Sequence, residues 1–345
     1  MSSYFITRAN FEKFIVKLIQ AKKKIYAPVS KKQSFIFDEL TSFDDLRLDY
    51  DVTILPPKKY IFPPRQGLLT FDKQGHNSLI APEDKILLGV HFYDLKAIDM
   101  LDNLFAANNS DANYLANRAA TTIIGANIQK ISKRAFWGSV GKDVRPHGYD
   151  GFIIKLDGGE GYVYECYTDK GSALLKSGDF SNASPAQIAA SMDINERVLK
   201  QCPEKLNHSS KEIATKVRST FKEKQLWEEL ADDCFSCGSC NTVCPTCYCF
   251  DVQDNWNVDQ VSGRRERTWD ACMTEDFAKI SLGGGHEENF RESKAQRFRH
   301  RIMRKSTYLN ETLGGPACVG CGRCSSACTA DIADPAKAIN RIMEL

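Results

Sequence analysis

The sequence predicts an α+β chain. A mixed α/β domain occupies residues 1–180, a helical connector residues 181–230, and a mostly helical, ferredoxin-like domain residues 231–345. Three observations lead there. Helical and strand-like apolar patterns mix in the first half without regular alternation. Residues 184–201 and 209–230 have helical spacing, with a break at 207–210. Eleven of the 13 cysteines fall after residue 230.

The elements follow in order. Phe11, Phe14, Ile15, Leu18 and Ile19 recur at helical spacing, and Thr7 stands where an N-cap belongs. Short apolar runs at 34–37, 52–55, 60–62 and 68–71 are broken by Pro56-Pro57 and Pro63-Pro64, which mark loops or sheet edges. Residues 86–90 read as a fully buried strand. Asp94 then opens an amphipathic helix carrying Leu95, Ile98, Leu101, Leu104 and Phe105. A second buried strand is expected at 121–125. Residues 151–156 and 161–167 flank Asp157-Gly158-Gly159 as a hairpin.

The 345 residues are 42% hydrophobic and 26% charged, as in ordinary soluble domains. A formal charge of +2 gives no global pull towards nucleic acid or an acidic membrane surface. The first residues hold no apolar signal segment, and no 18 apolar residues run together, so neither secretion nor a membrane span is expected. Clustered cysteines suit a reducing cytoplasm. The N-terminal half has no glycine-rich nucleotide fingerprint. His91 ends a predicted strand and reads as structural. Cys166 reads as a small apolar strand residue, and Cys202 has no partner nearby in sequence.

The cysteine spacing is the strongest signal. Cys234, Cys237, Cys240 and Cys244-Pro245 follow C-x2-C-x2-C-x3-C-P, the spacing that holds a [4Fe-4S] cluster. Cys318, Cys321, Cys324 and Cys328 repeat it. Three thiolates two residues apart can converge on one cubane, while the fourth reaches the other cluster. The expected ligands are therefore Cys234, Cys237, Cys240 and Cys328 for cluster 1, and Cys318, Cys321, Cys324 and Cys244 for cluster 2. Zinc sites use four ligands, commonly as two separated pairs, and give no reason for the third and fourth cysteines of each run. Seventy-three residues separate Cys244 from Cys318, and they include a helical stretch at 290–308. That length favours a mostly helical domain over a compact β-rich ferredoxin.

Cys247, Cys249 and Cys272 remain. They could give three ligands to a further metal site, with His286 of the loop Gly283-Gly284-Gly285-His286 or a partner chain as the fourth. The other reading, that they line the cluster cavity or are core thiols, is preferred, because three ligands are one short of a closed site. About eight irons per chain favours the second reading and about twelve a third cubane. Arg264, Arg265 and Arg267 precede Cys272. Lys294, Arg297, Arg299, Arg301, Arg304 and Lys305 share the later helix. Arginines beside a net-negative cluster would favour its reduced state; a solvated face or docking patch is the alternative for the later group.

The C-terminal pattern is C-x2-C-G-x-C-x3-C-P-T-C-x-C, then R-R-E-R-x-W-D-x-C, a glycine-rich loop with His286, and C-V-G-C-G-R-C. It resembles the beta subunit of cytoplasmic [NiFe] sulfhydrogenases. It is similar, too, to the iron–sulfur subunits of anaerobic sulfite reductases and of flavin oxidoreductases that feed heterodisulfide reductases. Ile54-Leu55-Pro56-Pro57-Lys58-Lys59 and Gly89-Val90-His91 extend the resemblance to the N-terminal half. It implies a non-catalytic electron-transfer subunit. Such a protein relays electrons between a flavin subunit, carrying FAD and oxidising NAD(P)H, and a catalytic partner. That partner is a hydrogenase for preference, with sulfite reductase or heterodisulfide-reductase systems as alternatives. An independent enzyme using Cys247, Cys249, Cys272 and His286, or a metal-held interaction module, are the competing readings; neither a flavin motif nor an acid–base set supports the first.

The chain departs from the family pattern at Tyr93, Asn127 and Ala135-Phe136-Trp137, where family members carry cysteines, and at Thr329, where a proline usually follows the last ligand. Losing four thiols together implies that a whole metal site is absent. The N-terminal half is therefore expected to bind no metal, and anomalous iron density near Tyr93 or Trp137 would refute this.

Overall fold

The computed structural model describes residues 2–140, 148–201, 205–206 and 208–345; Cys202 and Asn207 lie outside them. Two compact units are present, one of residues 1–62, 81–132 and 142–202, the other of 63–80, 133–141 and 203–345. In chain order the strands are β1 (Ser2–Thr7), β2 (Ile25–Lys31), β3 (Ser34–Glu39), β4 (Arg65–Asp72), β5 (Gly75–Ser78), β6 (Lys85–Val90), β7 (Thr121–Ala126), β8 (Gly151–Lys155), β9 (Gly161–Cys166), β10 (Ser181–Asn182), β11 (Phe250–Trp256), β12 (Gly263–Trp269), β13 (Lys279–Gly283) and β14 (His286–Asn289).

The first unit is built on an eight-stranded mixed sheet in the order β10-β1-β9-β8-β7-β6-β2-β3. β2, β6, β7 and β8 run parallel, which requires crossover connections. Helices Phe92–Ala106 and Ala112–Ala119 supply the one from β6 to β7. β6 reads as a continuous apolar run because it is buried on both faces. β8 and β9 pair antiparallel across 157–159, as the hairpin reading expects. Helix Arg8–Gln20 is capped by Thr7, whose hydroxyl accepts from the Asn10 amide at 3.2 Å. It buries Phe11, Phe14, Ile15 and Leu18 against the core. The Phe11 ring lies 4.3 Å from that of Tyr162.

Three sequence readings are resolved in this unit. Residues 52–55 and 60–62 are not strands, and Pro57–Tyr60 is a short 3-10 turn. His91 is fully buried. Its ring stacks on Tyr50 at 3.8 Å and its Nδ1 lies 2.9 Å from the Tyr93 hydroxyl, a structural role. Cys166 sits buried in β9, 3.1 Å from the Ser172 hydroxyl.

The second unit holds a four-stranded sheet in the order β11-β12-β4-β5 and the separate hairpin β13-β14. The sequence predicts a mostly helical C-terminal domain, but residues 250–289 form two hairpins instead. The reason is physical. β11 alternates through Phe250, Val252 and Trp256 and β13 through Ile280 and Leu282, but both runs are short and these side chains stay exposed, while β12 and β14 are mostly polar or charged, so the pattern gives little sign of a half-buried strand. Pairing of β12 with β4 orders the first hairpin, and that contact joins residues about two hundred positions apart. The helices of this unit include Pro335–Met343 and Ser210–Ser219, the latter closed by a Ser209–Glu212 capping box.

Replacing Phe11 by Ala should lower the unfolding free energy by about 3–5 kcal/mol, the range for truncating a core aromatic. Urea unfolding measures it, and a change within about 1 kcal/mol would show that the helix is not held by this contact.

Candidate metal centre

The two cysteine runs fold alike. Ser236 and Gly320, each two residues after the first cysteine, have φ of 54° and 62°. Gly238 and Gly322, each two residues before the third cysteine, have φ of 74° and 78° and open the short helices Ser239–Thr242 and Arg323–Ala327. The left-handed turns aim backbone amides back at sulfur. Ser236 N–H reaches Cys234 Sγ at 3.4 Å, and Gly320 N–H reaches Cys318 Sγ at 3.5 Å. Ser236 tolerates its positive φ while its hydroxyl accepts from the Arg297 guanidinium at 3.1 Å. At Gly320 a side chain has no room, since a Cβ would stand 2.5 Å from the Trp137 nitrogen.

Cys234, Cys237, Cys240 and Cys328 line one apolar cavity together with Met273, Phe298, Thr329 and Ile332. Its members come from both runs. Cys244 is tied to the other run through Thr246. The Thr246 hydroxyl lies 3.4 Å from Cys244 Sγ and donates to the Ala317 carbonyl at 2.9 Å, one residue before Cys318. Burial raises the thiols of Cys318 and Cys324, and like charge adds to it, from Cys324 and Cys244 at Cys318 and from Cys244 at Cys324, so the three sulfurs lie close together.

Burial pushes the thiols of Cys240 and Cys318 up to about 11 and about 12, because an unbalanced thiolate is costly in an apolar site. Cys237 is exposed and is held below the ordinary thiol value by its hydrogen bond to Ser239. Two cations offset the buried sulfurs. Arg301 and Lys305 are 1% and 4% exposed. Burial pulls both pKa values down, yet thiolate charge overrides it: Cys240 and Cys324 foremost for Arg301, Cys244 and Cys247 for Lys305. Lys305 Nζ also donates to Thr246 Oγ1 at 2.6 Å. Arg297, Arg301 and Lys305 recur every four residues, on one face of helix Lys294–Met303 and of the π-helical turn Arg304–Tyr308 that follows it. π-turns of this kind gather at functional sites.

The basic residues flagged by sequence therefore divide. Arg301 and Lys305 face sulfur. Arg297 donates to the Arg291 and Glu292 carbonyls, Arg299 packs on Phe221, Arg265 pairs with Asp254 at 2.7 Å, and buried Arg267 donates to Gln66 at 2.7 Å. Sequence reasoning missed Asn241 and Thr246, although each stands one or two residues from a candidate ligand cysteine. The buried Asn241 amide donates to Cys272 Sγ at 3.1 Å and to Cys247 Sγ at 3.6 Å. His286 opens the exposed strand β14, opposite Gly283, and no contact among the described residues links it to Cys247, Cys249 or Cys272.

These residues fit iron–sulfur clusters: thiols around an apolar cavity, amides directed at sulfur, and buried cations to balance thiolate charge. Among the described residues no three His, Cys, Asp or Glu side chains close on a single ion. Thiolates of a cubane each bind a different iron and stand further apart. The first unit has an open cleft of about 450 Å³ edged by Arg8, Arg47, Lys155, Asp44 and Asp49, with no cysteine or histidine in its lining.

The 4Fe-4S dicluster domain family matches residues 233–332. Over 93% of its length the chain is 31% identical to sulfhydrogenase 2 subunit beta of Pyrococcus furiosus, covering 92% of that protein. The chain belongs to the sulfhydrogenase beta-subunit family. The match spans both compact units and so includes the N-terminal sheet as well as the cysteine runs. No helix among the described residues is long and apolar enough to cross a membrane.

Gly320→Ala should lose at least about 1–2 kcal/mol from the left-handed backbone alone, and more from the clash with Trp137. Thermal melting and iron content of the variant test this, with Gly315→Ala as control because no atom crowds that position. Equal melting of the two variants would overturn the assignment of backbone strain to Gly320.

Proposed function

We propose that this chain relays electrons through two [4Fe-4S] clusters in the cytoplasm, between a flavin-bearing, NAD(P)H-linked partner and a hydrogenase-type catalytic partner. Cluster 1 takes Cys234, Cys237, Cys240 and Cys328; cluster 2 takes Cys318, Cys321, Cys324 and Cys244. The proposed organisation is a two-cluster module at 231–345 joined through a connector at 181–230 to a metal-free N-terminal domain at 1–180.

The observation that carries this reading is the apolar cavity shared by Cys234, Cys237, Cys240 and Cys328. Four thiols contributed by both runs are the donor set that crossed ligation requires. Membership of a hydrogenase subunit family supports the relay role and the preference for hydrogenase. When bound, the clusters supply one-electron carriers. The chain's own residues then set their surroundings. Apolar walls exclude water, the Ser236 and Gly320 amides donate to sulfur, and Arg301 and Lys305 favour the more negative reduced state. Cys237 is exposed beside Phe235, which is 74% exposed, so cluster 1 has an edge at the protein surface. Electrons would enter or leave there.

Crossed ligation has a distinct mutational signature. Cys234→Ser and Cys328→Ser, 94 positions apart, should remove the same EPR signal and leave the other intact. Cys318→Ser and Cys244→Ser should remove the second. Pairing by run instead, with Cys328→Ser matching Cys318→Ser, would sink the proposed ligand sets. Anaerobic purification with bound partners then tests the complex: a nickel-containing protein is expected, and a sirohaem protein or a heterodisulfide reductase in its place would overturn the hydrogenase assignment.

A further inference from the structure

Eight cysteines account for two cubanes, yet three more are gathered beside them. Cys249 immediately precedes β11 and Cys272 lies just past β12. These strands pair with Phe250 opposite Trp269, and the Asp270 amide donates to the Cys249 carbonyl at 3.0 Å. The base of this hairpin thus brings the two cysteines close together. Cys247 approaches from the segment after Cys244. The Asn241 side-chain amide reaches both Cys272 and Cys247, at 3.1 and 3.6 Å.

A second observation points at the same place. Arg301 directs Nη1 towards Cys247 Sγ at 4.0 Å. Its Nε and Nη2 are buried without a hydrogen-bond partner among the described residues. A guanidinium carries five donors, and leaving them unused in the interior is strongly unfavourable unless an anionic group receives them.

We propose that Cys247, Cys249 and Cys272 hold a third iron–sulfur centre, a cubane whose fourth iron takes a solvent-derived ligand. The Asn241 amide would donate to two of its thiolate sulfurs, and Arg301 would offset its negative charge. Hydrogen bonds to cluster sulfur and nearby positive charge both raise reduction potential. The site rests on the relay reading, since it extends the same chain of centres.

Iron, acid-labile sulfide and zinc are determined on the full-length chain after anaerobic reconstitution, and again on a Cys247→Ser, Cys249→Ser, Cys272→Ser variant. About twelve irons are expected in the parent and about eight in the variant, which should keep the EPR signals of the other two clusters. About eight irons in the parent, with or without a zinc ion, overturns the third centre and leaves the relay reading standing. Iron near zero overturns both. Should the variant fail to fold, Mössbauer spectra of the iron-57-loaded parent decide. A minority iron site distinct from thiolate-ligated iron is expected, and its absence counts against the proposal.

Discussion

The C-terminal unit is organised around two cations buried among sulfur atoms. Arg301 and Lys305 lie in the interior, and the negative charges that act most strongly on them are thiolates, not carboxylates. A buried cation without a counter-charge is destabilising by several kcal/mol. The neighbouring thiols have the complementary problem, since burial alone would keep Cys240, Cys318 and Cys324 protonated. Metal binding deprotonates cysteine and couples that step to folding. The cation–sulfur arrangement is therefore most stable when the thiols are metallated.

The loops make the matching adjustment in the backbone. Each run uses two positive-φ residues to turn an amide back on its first cysteine. One of the four is Ser236 and the rest are glycine. At Gly320 the requirement is both conformational and steric, because the Phe136 amide donates to its carbonyl at 2.8 Å and the 134–137 segment crosses directly over the turn. That segment contributes Phe136 and Trp137, both fully buried, as packing around the second run.

The N-terminal sheet is a different kind of object. Its strands are apolar, its histidine at the end of β6 is stacked and hydrogen-bonded, and its open cleft is edged by ionic residues. The matched relative covers this unit as well as the cysteine runs, so the sheet belongs to the family and is not an appendage of the metal-binding unit.

Some of this was legible in the chain itself. Ligand candidates were, because C-x2-C-x2-C-x3-C is a local geometry fixed by spacing. So were the helix after Thr7, the buried strands at 86–90 and 121–125, and the hairpin around 157–159, since each carries its own periodicity or turn residues. The hairpins at 250–289 were not: their few alternating apolar residues are exposed and sit among polar ones, and strand pairing, more than periodicity, makes them strands. Nor could periodicity tell Arg301 and Lys305 from Arg299, one face of a helix from another, until packing fixed which side met sulfur. The gathering of Cys247 and Cys272 at Asn241, with Cys249 near Cys272, likewise depends on strand register. By itself the sequence determined the spacing of the candidate ligand atoms, because spacing along a chain is local. Tertiary structure alone decided which charges are buried beside them, because burial depends on residues far away in the chain.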